Sequence, residues 1–64
     1  MRDPKRISNC CVELGCIWQE NFPDWRFGQV MSNFERWLKE IKNVDIFFLE
    51  EDEFMALFRE FVKK

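Results

Sequence analysis

Apolar side chains recur at the spacing of one helical face in three separate segments, and this pattern predicts three amphipathic helices. Pro23 disfavours helical angles in the residue before it, and residues 43–45 are expected to form a turn, so both separate the segments. The apolar positions are Ile7, Cys10, Cys11, Leu14, Ile17 and Trp18; then Phe27, Val30, Met31, Phe34, Trp37, Leu38 and Ile41; then Phe54, Leu57, Phe58, Phe61 and Val62. We therefore expect an all-α fold, a single compact three-helix domain over residues 1–64.

Capping residues set the expected bounds of the helices at about residues 4–20, 24–42 and 51–63. Asp3 is a good N-cap with Pro4 at the first helical position, and Asp24 is expected to cap the second helix. The acidic run at 50–53 suits the start of the third helix. The apolar run at 46–49 is too short for a helix, and we expect an extended connector pressed against the core.

Aromatic residues are expected to dominate the core. The chain has 64 residues, among them eight Phe and three Trp but no Tyr, so nearly every ring lacks a hydroxyl that would need a partner. A chain this short buries only about 60% of its unfolded surface, and its stability therefore depends on a dense core. Burying one Phe-sized side chain contributes about 1.5–3 kcal/mol.

Residue types argue against catalysis and against a metal or cofactor site. The chain has no His and no Gly-rich phosphate loop. Cys10, Cys11 and Cys16 are too few for a structural zinc site, and adjacent cysteines on one helix point about 100° apart, which suits no ordinary disulfide. Cys10 and Cys11 are expected to pack as small hydrophobes, with Cys16 exposed. No apolar run has the length of a signal peptide or a membrane span, so export is not expected. Together with the cysteine pattern this predicts a reduced, cytoplasmic protein. The absence of catalytic residue types predicts that it is no enzyme.

One flank of the second helix is the candidate binding surface. Trp25 projects almost opposite the predicted core stripe, so it either folds back onto the preceding loop or is an exposed binding residue. A polar row lies between Trp25 and the core. Its members carry guanidinium or amide groups that make directional hydrogen bonds: Arg26, Gln29, Asn33 and Arg36. A second, acidic candidate surface consists of Glu50, Glu51, Asp52 and Glu53.

Three sequence pieces carry a resemblance: DPKRI, IW followed by PDWRFGQV and SN, and FFLEEDEF. Together they resemble a group of short, uncharacterised bacterial and prophage-borne proteins with a central P-D-x-R-x-G-Q motif. The resemblance spans most of the chain in pieces and implies a helical domain without an established activity. Its recurring polar positions would correspond to Arg26, Gln29 and, less closely, Asn33. The clustered cysteines are no part of that pattern.

Two function classes remain. The formal net charge of −2 favours a protein-interaction module, an adaptor or an inhibitor, over a nucleic-acid-binding protein. Nucleic-acid binding is the alternative, because the polar row has base-reading residue types. It would require a basic corner that also includes Arg2, Lys5 and Arg6.

Self-association is a variant of the first class. Trp37 lies beside Phe34 and Leu38, and Met55 lies off the third stripe. That amounts to more apolar surface than a chain of this length would be expected to cover, and leftover patches of this kind commonly form symmetric dimers. A monomer and a homodimer are equally compatible with the sequence.

Overall fold

The computed structural model describes residues 2–63 and consists of three α-helices joined by short connections. The helices are α1 (Lys5–Asn21), α2 (Phe27–Trp37) and α3 (Glu51–Lys63). A π-helical turn, Leu38–Lys42, continues α2, and a 3-10 turn spans Ile46–Phe48. No β-strand occurs among these residues. The predicted all-α, three-helix fold is confirmed.

An aromatic cluster between α2 and α3 forms the centre of the core. The Phe34 ring centroid lies 5.0 Å from that of Phe54, 5.0 Å from that of Phe58 and 5.4 Å from that of Phe61. The first two contacts are edge-to-face, the arrangement that aromatic quadrupoles favour. The most completely buried side chains are Val30, Phe34, Leu38 and Phe58. The core therefore depends on the pairing of α2 with α3.

Helix α1 covers this pair from one side, and none of its residues is fully buried. Leu14, Ile17 and Trp18 are half-buried and pack against the core, whereas Ile7 is 52% exposed. Cys11 is exposed, so its predicted role as a packed hydrophobe is wrong. The physical reason is that α1 contacts mainly one neighbour, α3, and a helix with one neighbour leaves the margins of its apolar stripe in water.

The start of α2 differs from the prediction by three residues. Asp24 was expected to cap a helix from residue 24, but it lies in a turn in which the Trp25 N–H donates to the Phe22 carbonyl at 3.0 Å. Arg26 is extended, with φ −76° and ψ 158°, and is the residue that precedes the helix. The Phe22 and Trp25 rings stack with centroids 4.3 Å apart, and this packing holds the chain in the turn.

The end of α2 widens into the π-helical turn, which stops at Asn43. Asn43 has left-handed angles, φ 56° and ψ 45°, and its N–H donates to the Leu38 carbonyl. The Val44 N–H donates to the same carbonyl at 3.1 Å. Asn tolerates this conformation better than other residues that have a Cβ, which makes it a suitable helix terminator. The predicted end near residue 42 is confirmed, although the last turn is not α-helical.

Two local predictions in the second half of the chain are wrong. Ile46–Phe48 form a 3-10 turn, and only Leu49 after it is extended, because the Asp45 carboxylate accepts the Phe47 N–H at 3.0 Å and starts the turn. Met55 is buried, with 3% of its surface exposed, although it was expected off the stripe. The burial follows from the position of α3 between α1 and α2, which covers more than one face of that helix.

Candidate interaction surfaces

Trp25, the residue at the start of the candidate flank, folds back onto the preceding loop. Its ring stacks on Phe22, and its carbonyl accepts a hydrogen bond of 3.1 Å from the Trp18 indole N–H. Trp25 is half-buried and packs against the core cluster. The ring thus closes the connection between α1 and α2. Of the two sequence-based interpretations, the structure has the fold-back.

Gln29 also has a structural function, as half of a capping box at the start of α2. Its side-chain oxygen Oε1 accepts the Arg26 backbone N–H at 2.7 Å. A helix start leaves four backbone N–H groups without helical partners, and side chains of the first turn commonly satisfy groups at this position. Gln29 therefore has a structural explanation that requires no partner.

Replacing Gln29 with Ala should destabilise the protein by about 0.5–1 kcal/mol, because the Arg26 N–H loses its acceptor at an exposed site. Urea unfolding followed by circular dichroism measures the change. The matched control is Arg36→Ala in the same helix, which should alter stability by less than about 0.5 kcal/mol. Equal stability of the Gln29 variant and the wild type would contradict a capping role.

The remaining members of the polar row keep their side chains available. Arg26 and Arg36 are exposed and make no ion pair with any residue between 2 and 63, and Asn33 between them is half-buried. By contrast, the other arginines, Arg2, Arg6 and Arg59, each pair with a glutamate. The structure thus reduces the predicted flank to two free guanidinium groups and one amide.

Most carboxylates of the acidic run at the start of α3 make ion pairs or hydrogen bonds with other residues of the same chain. Glu50 pairs with Arg2 at 2.7 Å, and Glu51 pairs with the Arg6 Nε at 2.8 Å, so the run binds the N-terminal end of α1. The Glu53 carboxylate accepts the Glu50 N–H at 3.0 Å. Opposite charges at residues 2–6 and 50–51 are visible in the sequence, but only the fold brings them together.

Among the large apolar side chains of the described residues, Phe47 and Phe48 are the most exposed, and we call this pair the aromatic turn. They are 81% and 75% exposed, and their rings contact each other edge to face with centroids 5.0 Å apart. The sequence does not predict this surface, because the whole apolar run 46–49 was expected to pack against the core. The 3-10 geometry separates the run into two sides.

The backbone holds the aromatic turn in one conformation. Side chains three residues apart lie on the same side of a 3-10 helix, so Ile46 and Leu49 pack against the core while the two rings face outward. The Leu49 N–H donates to the Ile46 carbonyl at 3.2 Å, and Asp45 caps the start. Asp45 ahead of two apolar residues three positions apart is the sequence signal that could have predicted this arrangement.

The cysteines differ in environment. Burial of the Cys10 thiol raises its pKa, and nearby Cys11, Glu51 and Glu13 raise this pKa further by disfavouring a thiolate. Cys11 and Cys16 are exposed. Cys10 borders a groove between α1 and α3 that the Arg6–Glu51 and Arg59–Glu13 ion pairs cross.

Alkylation with iodoacetamide at pH 8 should therefore modify Cys10 several-fold more slowly than Cys11 and Cys16. A raised folded-state pKa lowers the thiolate fraction at that pH, and the thiolate is the reacting species. Peptide mass spectrometry of timed samples measures the three rates. The urea-unfolded chain is the control, in which the rates should converge. Equal rates in the folded protein would contradict the burial of Cys10.

Comparison with protein-family models, curated proteins and solved structures finds no match. The resemblance to short bacterial and prophage-borne proteins therefore stays a prediction. Between residues 2 and 63, no helix combines the length and the apolar character that crossing a membrane requires. The same residues include no group of three or more metal-ligating side chains arranged to hold an ion.

Proposed function

We propose that this chain is a small cytoplasmic protein-interaction module, an adaptor or inhibitor without catalysis of its own, and that the aromatic turn is its main contact surface. The observation that supports it is the exposure of two adjacent rings, 81% and 75%, in a turn that places other apolar residues against the core. Single exposed apolar residues are normal on proteins, whereas grouped ones mark interaction sites.

The energetics favour a contact at this position. Burying a Phe side chain against a partner contributes about 1.5–3 kcal/mol, so two rings offer about 3–6 kcal/mol. The backbone of the turn is stabilised by the Asp45 cap and by the packing of Ile46 and Leu49, so binding costs little backbone entropy, and the main entropic cost is the rotamer freedom of the two rings. Aromatic side chains in such positions commonly dominate the binding energy of an interface.

Nucleic-acid binding through Arg26, Asn33 and Arg36 is the second candidate function, favoured by the two free guanidinium groups on α2. Such proteins gain much of their affinity by neutralising phosphates. The required basic corner would include Arg2 and Arg6, but glutamates neutralise both. The free arginines suit a secondary contact with carboxylates of a protein partner equally well.

The resemblance to prophage-borne proteins is consistent with the first function. Small products of this type often act by binding a host protein, and the central motif implies recurring polar positions at Arg26 and Gln29. Because Gln29 caps α2, its recurrence is explained by folding, and Arg26 is the more informative position for binding.

The test is affinity capture from a bacterial lysate with four baits. They are the wild type, Phe47→Ser/Phe48→Ser, Arg26→Ala/Arg36→Ala, and a control, Ile7→Ser/Val12→Ser, which removes two exposed apolar side chains from α1. Each bait is first confirmed to be folded by circular dichroism, and each eluate is analysed for proteins and for nucleic acid. We expect a protein that the wild type and the control retain and the Phe47/Phe48 variant loses.

Two other results would overturn the proposal. A protein retained equally by all four baits would show that the aromatic turn is no contact surface. Nucleic acid retained by the wild type and lost with Arg26→Ala/Arg36→Ala would support the second candidate function instead.

A further inference from the structure

A shallow hollow lies directly beside the aromatic turn. It has a volume of about 200 Å³ and is lined by Lys39, Asn43, Val44 and Asp45. Asp45 belongs to both features, since it borders the hollow and its carboxylate also accepts the Phe47 N–H. The aromatic turn and the hollow are therefore neighbours, joined through Asp45. The hollow is open to solvent, so a ring of another chain has access to it.

A twofold-symmetric contact requires this combination. In such an interface the same patch is used by both copies, so each projection must meet a recess of the other copy. We propose that the chain bound by the aromatic turn is a second copy of this chain, with Phe47 or Phe48 of each copy entering the hollow of the other. The inference rests on the proposed function of the turn as a contact surface, and it names the partner.

The exposed area fits a weak, reversible dimer. An aromatic side chain carries about 150–250 Å² of surface, so the two rings at 81% and 75% exposure leave about 300 Å² per chain in water. Two copies would bury about 600 Å² through the rings alone, half of the minimum of about 1,200 Å² that stable interfaces bury. The interface is therefore smaller than stable interfaces are, so the dimer should be weak and should form with rising concentration between about 10 µM and 1 mM.

The charges at the hollow are compatible with a second copy. Its rim carries both signs, Lys39 and Asp45, so a symmetric contact can oppose unlike charges. The Lys39 side chain is 63% exposed, and its ion pair with Glu35 is long, at 3.6 Å. Such a pair is weak, so the ammonium group can turn toward an incoming ring and form a cation–π contact. The net charge of −2 per chain opposes association only slightly.

Sedimentation equilibrium across 10 µM to 1 mM protein tests the dimer. We expect the apparent mass of the wild type to rise from one chain toward two. Phe47→Ser/Phe48→Ser should raise the dimer dissociation constant at least tenfold, whereas Ile7→Ser/Val12→Ser should leave it unchanged. Two outcomes would overturn the inference: a wild type that stays monomeric at 1 mM, or a Phe47→Ser/Phe48→Ser variant that dimerises as strongly as the wild type.

Isotope-filtered NMR on the wild type locates the contact without any variant. In a mixed sample of labelled and unlabelled chains, we expect intermolecular cross-peaks between the Phe47 or Phe48 ring protons and the Val44 methyl groups. Cross-peaks confined to other surfaces would refute the reciprocal arrangement.

The two proposals fail separately. If the protein is monomeric and its lysate partner is lost with Phe47→Ser/Phe48→Ser, the proposed interaction function is supported and the proposed dimer is refuted. If the protein dimerises through the aromatic turn but binds no other protein, the proposed dimer is supported and the adaptor or inhibitor function is refuted. A monomer that retains no partner through the turn removes both.

Discussion

Replacing Phe34 with Ala should remove a third or more of the free energy of unfolding of the protein. Phe34 has no exposed surface and contacts three phenyl rings of α3, so its removal leaves a cavity that helices cannot close without shifting. Phe→Ala changes in cores cost about 3–5 kcal/mol. A domain of this length has a total stability of about 3–10 kcal/mol, so the loss takes a third of it or more.

Thermal and urea unfolding monitored by far-UV circular dichroism measure this effect. Phe48→Ala is the matched control, since it makes the same chemical change at a side chain that is 75% exposed, and it should alter stability by less than about 0.5 kcal/mol. The comparison is made below about 10 µM protein, under the concentration range of the proposed dimer. A Phe34 variant as stable as the Phe48 variant would show that the α2–α3 ring cluster does not hold the fold together.

The helices could be predicted because periodicity carries most of the information about them. Apolar spacing alone identified all three, and the bounds of α1 and α3 are within one residue of those observed. The start of α2 could not be predicted from the same rule. Asp24 is a good cap in isolation, but stacking of Phe22 on Trp25 competes with it and moves the first turn to Phe27. Ring packing of this kind is a tertiary effect.

The depth of burial along each stripe depends on how many neighbours a helix has. Ile7 and Ile41 are 52% and 65% exposed, although both fit their stripes, and Met55 is buried off its stripe. A sequence pattern gives the direction in which a side chain points relative to the helix axis. Whether another helix meets it there depends on the arrangement in space, which the pattern of one helix does not contain.

The residues of the candidate surface differ between the prediction and the structure for the same reason. Trp25 and Gln29 were selected by residue type, but one stacks on Phe22 and the other caps α2. Trp37 and Met55, from which self-association was first inferred, are both buried. The exposed apolar surface is instead the aromatic turn, which a 3-10 geometry creates from a run that looked uniformly apolar. Homodimerisation stays a proposal, on a different surface.

Replacing Trp18 with Ala should produce the second large effect, a loss of about 2–3 kcal/mol, below the usual cost for a fully buried Trp because this side chain is half-buried. The Trp18 indole N–H donates to the Trp25 carbonyl at 3.1 Å, and its ring lies 5.8 Å from that of Phe27. This one side chain therefore fixes the end of α1 to the turn before α2.

Trp18→Phe divides the effect into its two parts. Phenylalanine keeps a ring against Phe27 but loses the hydrogen bond, so about 1 kcal/mol should be lost. Gln19→Ala, at the neighbouring exposed position, is the control and should change stability by less than about 0.5 kcal/mol. If the Phe variant were as unstable as the Ala variant, the indole N–H alone would account for the attachment of α1.

Hydrogen exchange shows where the Trp18→Ala protein opens. None of the residues of α1 is fully buried, and its two ion pairs to α3, Arg6–Glu51 and Arg59–Glu13, are partly exposed, so each contributes about 0–1 kcal/mol. Without Trp18, α1 should separate from α3 before the α2–α3 ring cluster opens, because local opening follows the weakest packing. We expect amides of residues 5–21 to lose protection at least tenfold more than those of residues 51–63. An equal loss in both helices would instead mean that the three helices unfold as one cooperative unit.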